Sequence, residues 1–140
     1  MNKLSLILIS IVFLLTACQT TNPDVITLDE VLSSFAEHQL VVKENKVSNH
    51  NIFGMKLNGV KPSSYELAGK LLTVYIFDSA EERKRGIEDF RDKTASMNII
   101  SYELYEVENV LIFYVYELDR NKKVETVDEM KEALREIGEK

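Results

Sequence analysis

The sequence predicts an α+β fold: a two-layer sandwich in which a mainly antiparallel sheet of four or five strands carries about three helices. Three observations lead there. Three segments open on the same Ser/Thr-x-x-Glu signature and continue with helical periodicity. Two long apolar runs have the length and β-branched or aromatic content of buried strands. The strand-like runs are grouped, with helices before, between and after them, rather than alternating regularly as a parallel sheet requires.

The first helix is expected over 28–38. Thr27-Leu28-Asp29-Glu30 forms a capping box, and Leu28, Val31, Leu32 and Phe35 follow at spacings that share one face. Val41 to Asn51 is polar and Asn-rich and reads as a strand end followed by a loop. Phe53, Met55 and Leu57 alternate ahead of Asn58-Gly59, a strong turn dipeptide, which predicts a strand near 52–57 with Tyr65–Ala68 paired to it. Lys70 to Asp78 is apolar on both faces and reads as a central strand.

A second helix, over 80–96, opens at Ser79-Ala80-Glu81-Glu82. Its apolar face is thin (Ala80, Ile87, Phe90, Met97) and Gly86 weakens its middle. Its other face is a band of charges, with Glu81–Arg85 and Asp89–Lys93 spaced to pair across one turn. Such a band suits either a solvated face or a docking surface. Ile99–Val107 alternates, with Ile100, Tyr102 and Leu104 opposed to Ser101 and Glu103, while Val110–Leu118 is apolar throughout. Glu108-Asn109 between them reads as a hairpin turn in which Asn takes the left-handed backbone. Thr126-Val127-Asp128-Glu129 opens the last helix, over 127–138, with Val127, Met130, Leu134 and Ile137 aligned. The β-α-β-β portion has ferredoxin-like character.

The chain has 140 residues and one cysteine, Cys18, so no internal disulfide is available. Asn2 and Lys3 precede an apolar run from Leu4 to Leu15, which is shorter than the ~20 residues needed to span a bilayer and has signal-peptide proportions. Leu15-Thr16-Ala17-Cys18 follows at once and resembles the lipobox of bacterial lipoprotein precursors at each of its four positions. The resemblance implies cleavage between Ala17 and Cys18, a diacylglyceryl group on the Cys18 thiol, and a cell-membrane location on the extracytoplasmic face. Two acyl chains are what stable anchoring generally takes. Residues 1–17 are then a cleaved signal peptide, 18–25 the lipidated cysteine with a small polar tether containing Pro23, and 26–140 one globular domain. Cleavage removes one cation, Lys3, and no acid, so the net charge moves from −6 to −7. That field opposes phosphate backbones and excludes nucleic acid as a partner.

No residue set with the pattern of a catalytic or metal centre stands out. His38 and His50 are the only histidines, one at a helix end and one in a loop, which predicts no metal site and no cofactor. Ser63-Ser64 follows Pro62 in an expected turn and lacks the Gly-x-Ser-x-Gly elbow of a nucleophile. The tyrosines are more suggestive. Tyr102, Tyr105, Tyr114 and Tyr116 fall on the predicted hairpin, where they serve either as an aromatic interaction surface or as packing beneath the helices.

Met55 to Pro62 (MKLNGVKP) and Tyr75-Ile76-Phe77-Asp78-Ser79 with the charged helix behind it are similar to small uncharacterised lipoproteins of Bacillus-type bacteria. That family supplies no activity and no functional residues to carry over. The function expected is therefore a non-enzymatic accessory module that binds a protein at the cell envelope. The alternative is a small-molecule-binding lipoprotein with a pocket between sheet and helices.

Overall fold

The computed structural model describes residues 25–116 and 123–140. Helix α1 spans Leu28–Glu37, and strands β1 (Val42–Glu44), β2 (Ser63–Leu67) and β3 (Lys70–Ile76) follow. Helix α2 (Ala80–Thr94), strands β4 (Tyr102–Val107) and β5 (Val110–Val115), and helix α3 (Lys123–Gly138) complete the elements of the described residues. The five strands form one sheet in the order β1-β2-β3-β5-β4, with every neighbouring pair antiparallel. The α+β class, the antiparallel five-stranded sheet and the helices packed on it are those the sequence predicts, with β3 in the middle.

The layering is fuller than the two-layer sandwich expected. On one face of the sheet Leu72, Val74, Tyr105, Ile112 and Tyr114 pack with Val31 and Phe35 of α1 and Met130 and Leu134 of α3. On the opposite face Tyr75, Leu111, Phe113 and Val115 pack with Ile87 and Phe90 of α2 and with Phe53 and Leu57. The cause is the composition of β3 and β5. Strands apolar on both sides leave a hydrophobic surface exposed unless both sides are covered. The β3-α2-β4-β5 portion does place β5 between β3 and β4, as a ferredoxin-like split unit would. Helices α2 and α3, however, cover opposite faces, and β2 lies on the outer side of β3.

The helix starts show how far the capping signature holds. At α1 the box is complete. Thr27 Oγ1 accepts the Glu30 N–H at 3.3 Å, and the Glu30 carboxylate accepts the Thr27 N–H at 2.7 Å, which holds that carboxyl below its ordinary value. At α2 only half forms. Ser79 Oγ accepts the Glu82 N–H at 3.1 Å, while the Glu82 side chain turns to Asn58 and Arg85. At α3 the helix begins at Lys123, so Thr126 lies inside it and is not the cap expected.

The strand expected near 52–57 is instead a chain of turns with a single bridge between Leu57 and Val60. Consequently β2 pairs with β1 and β3 rather than with this segment. The alternation of Phe53 and Leu57 reports burial under α2, not ladder pairing. Side chains take the place of a ladder here. Asn51 Oδ1 accepts the Phe53 N–H at 2.9 Å, and the Tyr75 hydroxyl donates to the Met55 carbonyl at 2.8 Å. From α2, Asp89 accepts the Asn58 N–H at 2.8 Å and Lys93 donates to the Lys56 carbonyl at 2.9 Å.

Gly86 belongs to this same layer. A Cβ there would stand 2.4 Å from Cζ of Phe77, a ring that is almost fully buried. Glycine thus serves close approach of α2 to the sheet rather than weakening the helix without return. Gly86→Ala should lower unfolding stability by about 1–3 kcal/mol through overpacking, despite the ~1 kcal/mol gain in helix propensity. Urea denaturation reads the sign, and a stabilised variant would contradict the packing.

Candidate functional site

The two ends of the sheet differ. At one end lie Ile76, Val107 and Val110, with the β4–β5 turn beyond them. Asn109 in that turn is almost fully buried. Its Oδ1 accepts the Ile26 N–H at 2.8 Å, and its Nδ2 donates to the carbonyls of Ile26 and Phe77, each at 2.9 Å. The Phe77 N–H in turn donates to the Asn109 carbonyl at 2.9 Å. The segment entering the domain is therefore fastened at this end. The left-handed residue of the turn is Glu108 (φ 43°), not the asparagine expected, and the Asn109 side chain serves these three bonds instead.

A cleft of about 590 Å³ opens beside this fastening, between α1 and the end of α3. Asp29, Glu30, Glu37 and Glu108 line it with Lys140, over a floor that includes Ile26 and Ile137. It lies between two helices and the turn, not between sheet and helices as the ligand-binding alternative expects.

The other end of the sheet carries the row Lys43, Glu66, Leu71, Val115 and Tyr102, with the Ala68-Gly69 turn projecting beyond it. Ala68 and Gly69 both have positive φ (51° and 76°), the geometry of a tight two-residue hairpin turn. Hollows flank this tip. One, of about 460 Å³, is lined by Ile52, Phe53, Leu71, Ile100 and Val115 among others. The second, of about 360 Å³, is lined by Leu40, Val41, Lys43, Glu66, Thr126 and Glu129 together with the tip itself. Val41, Met97 and Ile100 are the exposed large hydrophobic residues among the described residues, at 72%, 50% and 54% exposure, and all three sit around this end.

The four hairpin tyrosines do not form one exposed surface. Tyr105 and Tyr114 are buried beneath α1 and α3. Tyr102 is on the opposite face, with its ring 5.4 Å from Phe53, 5.8 Å from Phe90 and 5.6 Å from Phe113. Tyr116 is half-buried, packs against the α1/α3 side, and its hydroxyl donates to Glu103 at 3.4 Å. Burial pushes the Tyr105 and Tyr114 hydroxyls above the ordinary tyrosine value, as it does Tyr75. Of the two readings that the sequence left open, packing accounts for Tyr102, Tyr105 and Tyr114.

The remaining candidates are dispersed. His38 Nε2 lies 3.1 Å from the Glu136 carboxylate, joining α1 to α3, while His50 is exposed in the loop after β1. Among the described residues no group of three His, Cys, Asp or Glu could hold a metal ion. Ser63 and Ser64 are in β2, not in a turn. On α2, Lys93 pairs with Asp89 at 2.7 Å as its spacing predicts, but Arg85 pairs with Glu82 rather than Glu81. Arg83 is buried, and its guanidinium reaches Glu106 of β4 at 3.6 Å. Ala17 and Cys18 lie outside the described residues.

Sequence reasoning missed Asn109 and the apolar sheet end. Periodicity places Met97 on a helix face and Ile100 in a strand alternation, and neither placement exposes them. No protein family, curated protein or solved structure matches this chain.

Proposed function

We propose that the chain is a lipoprotein held on the extracytoplasmic face of the cell membrane by a diacylglyceryl group on Cys18, after removal of residues 1–17. In this reading the α+β domain is a non-enzymatic accessory module that binds a protein of the cell envelope. The observation that carries it is Leu15-Thr16-Ala17-Cys18 placed directly behind a twelve-residue apolar run (Leu4 to Leu15). One feature of the domain accords with it. The segment leading from Cys18 joins the domain at Val25 and Ile26, where Asn109 fastens it.

Fractionation of cells expressing the tagged chain tests this. The wild-type protein should sediment with membranes and resist high-salt extraction, because an acidic domain of net charge −7 is not held there electrostatically. Cys18→Ala should block lipidation and the peptidase step that follows it, giving a larger, unlabelled precursor. Equal incorporation of a palmitate analogue by the wild type and Cys18→Ala would exclude the anchor.

A further inference from the structure

We propose that Asn58-Gly59 is a site of spontaneous covalent modification that helix α2 holds closed. When the segment 52–60 lifts from α2, Asn58 deamidates through a cyclic imide, and the carboxylate formed no longer seats beside Glu82 and Asp89. This holds whether or not Cys18 is lipidated.

Asparagine followed by glycine is the dipeptide most open to this reaction, because no side chain shields the attacking nitrogen. The Gly59 amide nitrogen attacks Cγ of Asn58, and the side-chain nitrogen leaves as ammonia, taking the proton of the attacking N–H. Water then opens the imide at one or other carbonyl and leaves aspartate or isoaspartate. Asn58 and Gly59 are both exposed, and a Cβ built on Gly59 would meet nothing within 4 Å, so water has access.

The folded turn keeps the reaction shut. Leu57 and Val60 exchange both backbone hydrogen bonds at 2.9 Å, and Asn58 and Gly59 between them have φ of 45° and 81°. These values belong to a type I′ turn, in which the glycine nitrogen lies on the far side of the asparagine Cα–C bond from Cβ. Ring closure needs that nitrogen eclipsed with Cβ, so the turn must open first. Helix α2 opposes opening at three points. Asp89 accepts the Asn58 N–H at 2.8 Å, Glu82 accepts a bond from Asn58 Nδ2, and Lys93 donates to the Lys56 carbonyl at 2.9 Å. Glu82 therefore binds the nitrogen that has to leave. After the reaction that donor is gone, and a new carboxylate faces Glu82 on a residue already bonded to Asp89, where like charges oppose closure. Isoaspartate also lengthens the backbone inside a turn that has room for two residues.

The test incubates the full chain, purified in detergent, at mildly alkaline pH in native buffer and in guanidinium chloride, and follows Asn58 by peptide mass spectrometry. Deamidation should run at least about ten-fold faster in the denaturant than in the native protein, because only opened molecules react. Its products should include isoaspartate, the mark of the imide route. Glu82→Ala and Asp89→Ala, each at a partly exposed side chain, should speed the native reaction about three-fold or more, the weight of one lost hydrogen bond. Hydrogen exchange in β3 and β5 should stay as in the wild type. Asn58→Asp, which mimics one product, should lose exchange protection at the N–H groups of Leu57 and Val60. It should lose more than Asn58→Gly, which suits the turn and adds no charge. Equal rates in native and denatured protein, absence of isoaspartate, or unchanged rates in both α2 variants would each overturn the proposal. So would acceleration accompanied by lost protection in β3 and β5, or an Asn58→Asp protein as protected as the wild type.

Discussion

Asn109→Ala should lower the domain's unfolding free energy by about 3 kcal/mol, because it leaves one N–H and two carbonyls without partners, each orphan worth about 1–3 kcal/mol when buried. The effect is large against the ~5–15 kcal/mol total of a typical domain. It should also be local in its first consequence. Ile26 N–H and its neighbours at the start of α1 should lose hydrogen-exchange protection before the central strands do. Asn109→Asp keeps the acceptor but removes both donated bonds and places a carboxylate in a site that is 1% exposed, so it should be no milder. A melting temperature unchanged in both variants would mean that the turn is not what fastens the entering segment.

Phe113→Ala should cost about 3–5 kcal/mol, the range for removing a fully packed aromatic side chain. Phe113 sits on β5 opposite Thr73 and Leu104, and its ring centroid lies 4.6 Å from that of Phe90, 5.6 Å from Phe53 and 5.9 Å from Tyr75. It therefore joins the sheet, α2 and the irregular segment around Phe53 in one contact set. The void would be shared by all three, and Phe113→Leu should recover most of the loss if volume rather than ring geometry dominates. Chemical denaturation of the three proteins side by side decides this, and a loss below about 1 kcal/mol would show that the face collapses to fill the space.

Most of the element order was legible in the sequence because its signals are local. The Thr27–Glu30 box, the double-sided apolarity of Lys70–Ile76 and Val110–Val115, and the helical spacing of Met130, Leu134 and Ile137 each depend on residues within a few positions of one another. What failed was non-local. Phe53 and Leu57 alternate like a strand but are buried by α2, whose Asp89 and Lys93 satisfy the backbone thirty-one and thirty-seven residues away. Asn109 looked like an ordinary turn residue because its main partner, Ile26, lies eighty-three positions earlier. Gly86 reads as a helix defect until Phe77 is seen against it. The second covered face could have been inferred, since strands apolar on both sides require two covers.

The candidate site divides in the same way. The anchor motif is contiguous, so all of it could be read before any fold was known. The rim of the sheet could not, because Val41, the Ala68-Gly69 tip and Ile100 are brought to one end only through the pairing of five strands. The tyrosines suggested a surface because composition marks aromatic content without marking exposure. Pairing β4 and β5 under α3 turned Tyr105 and Tyr114 inward.

The central claim is the lipid on Cys18, and intact mass spectrometry of the protein extracted in detergent from its membranes tests it most directly. The account predicts a chain that begins at Cys18 and carries the mass of a diacylglyceryl group on that residue. A chain that begins at Met1 with an unmodified thiol, or one cleaved at another position, would contradict it.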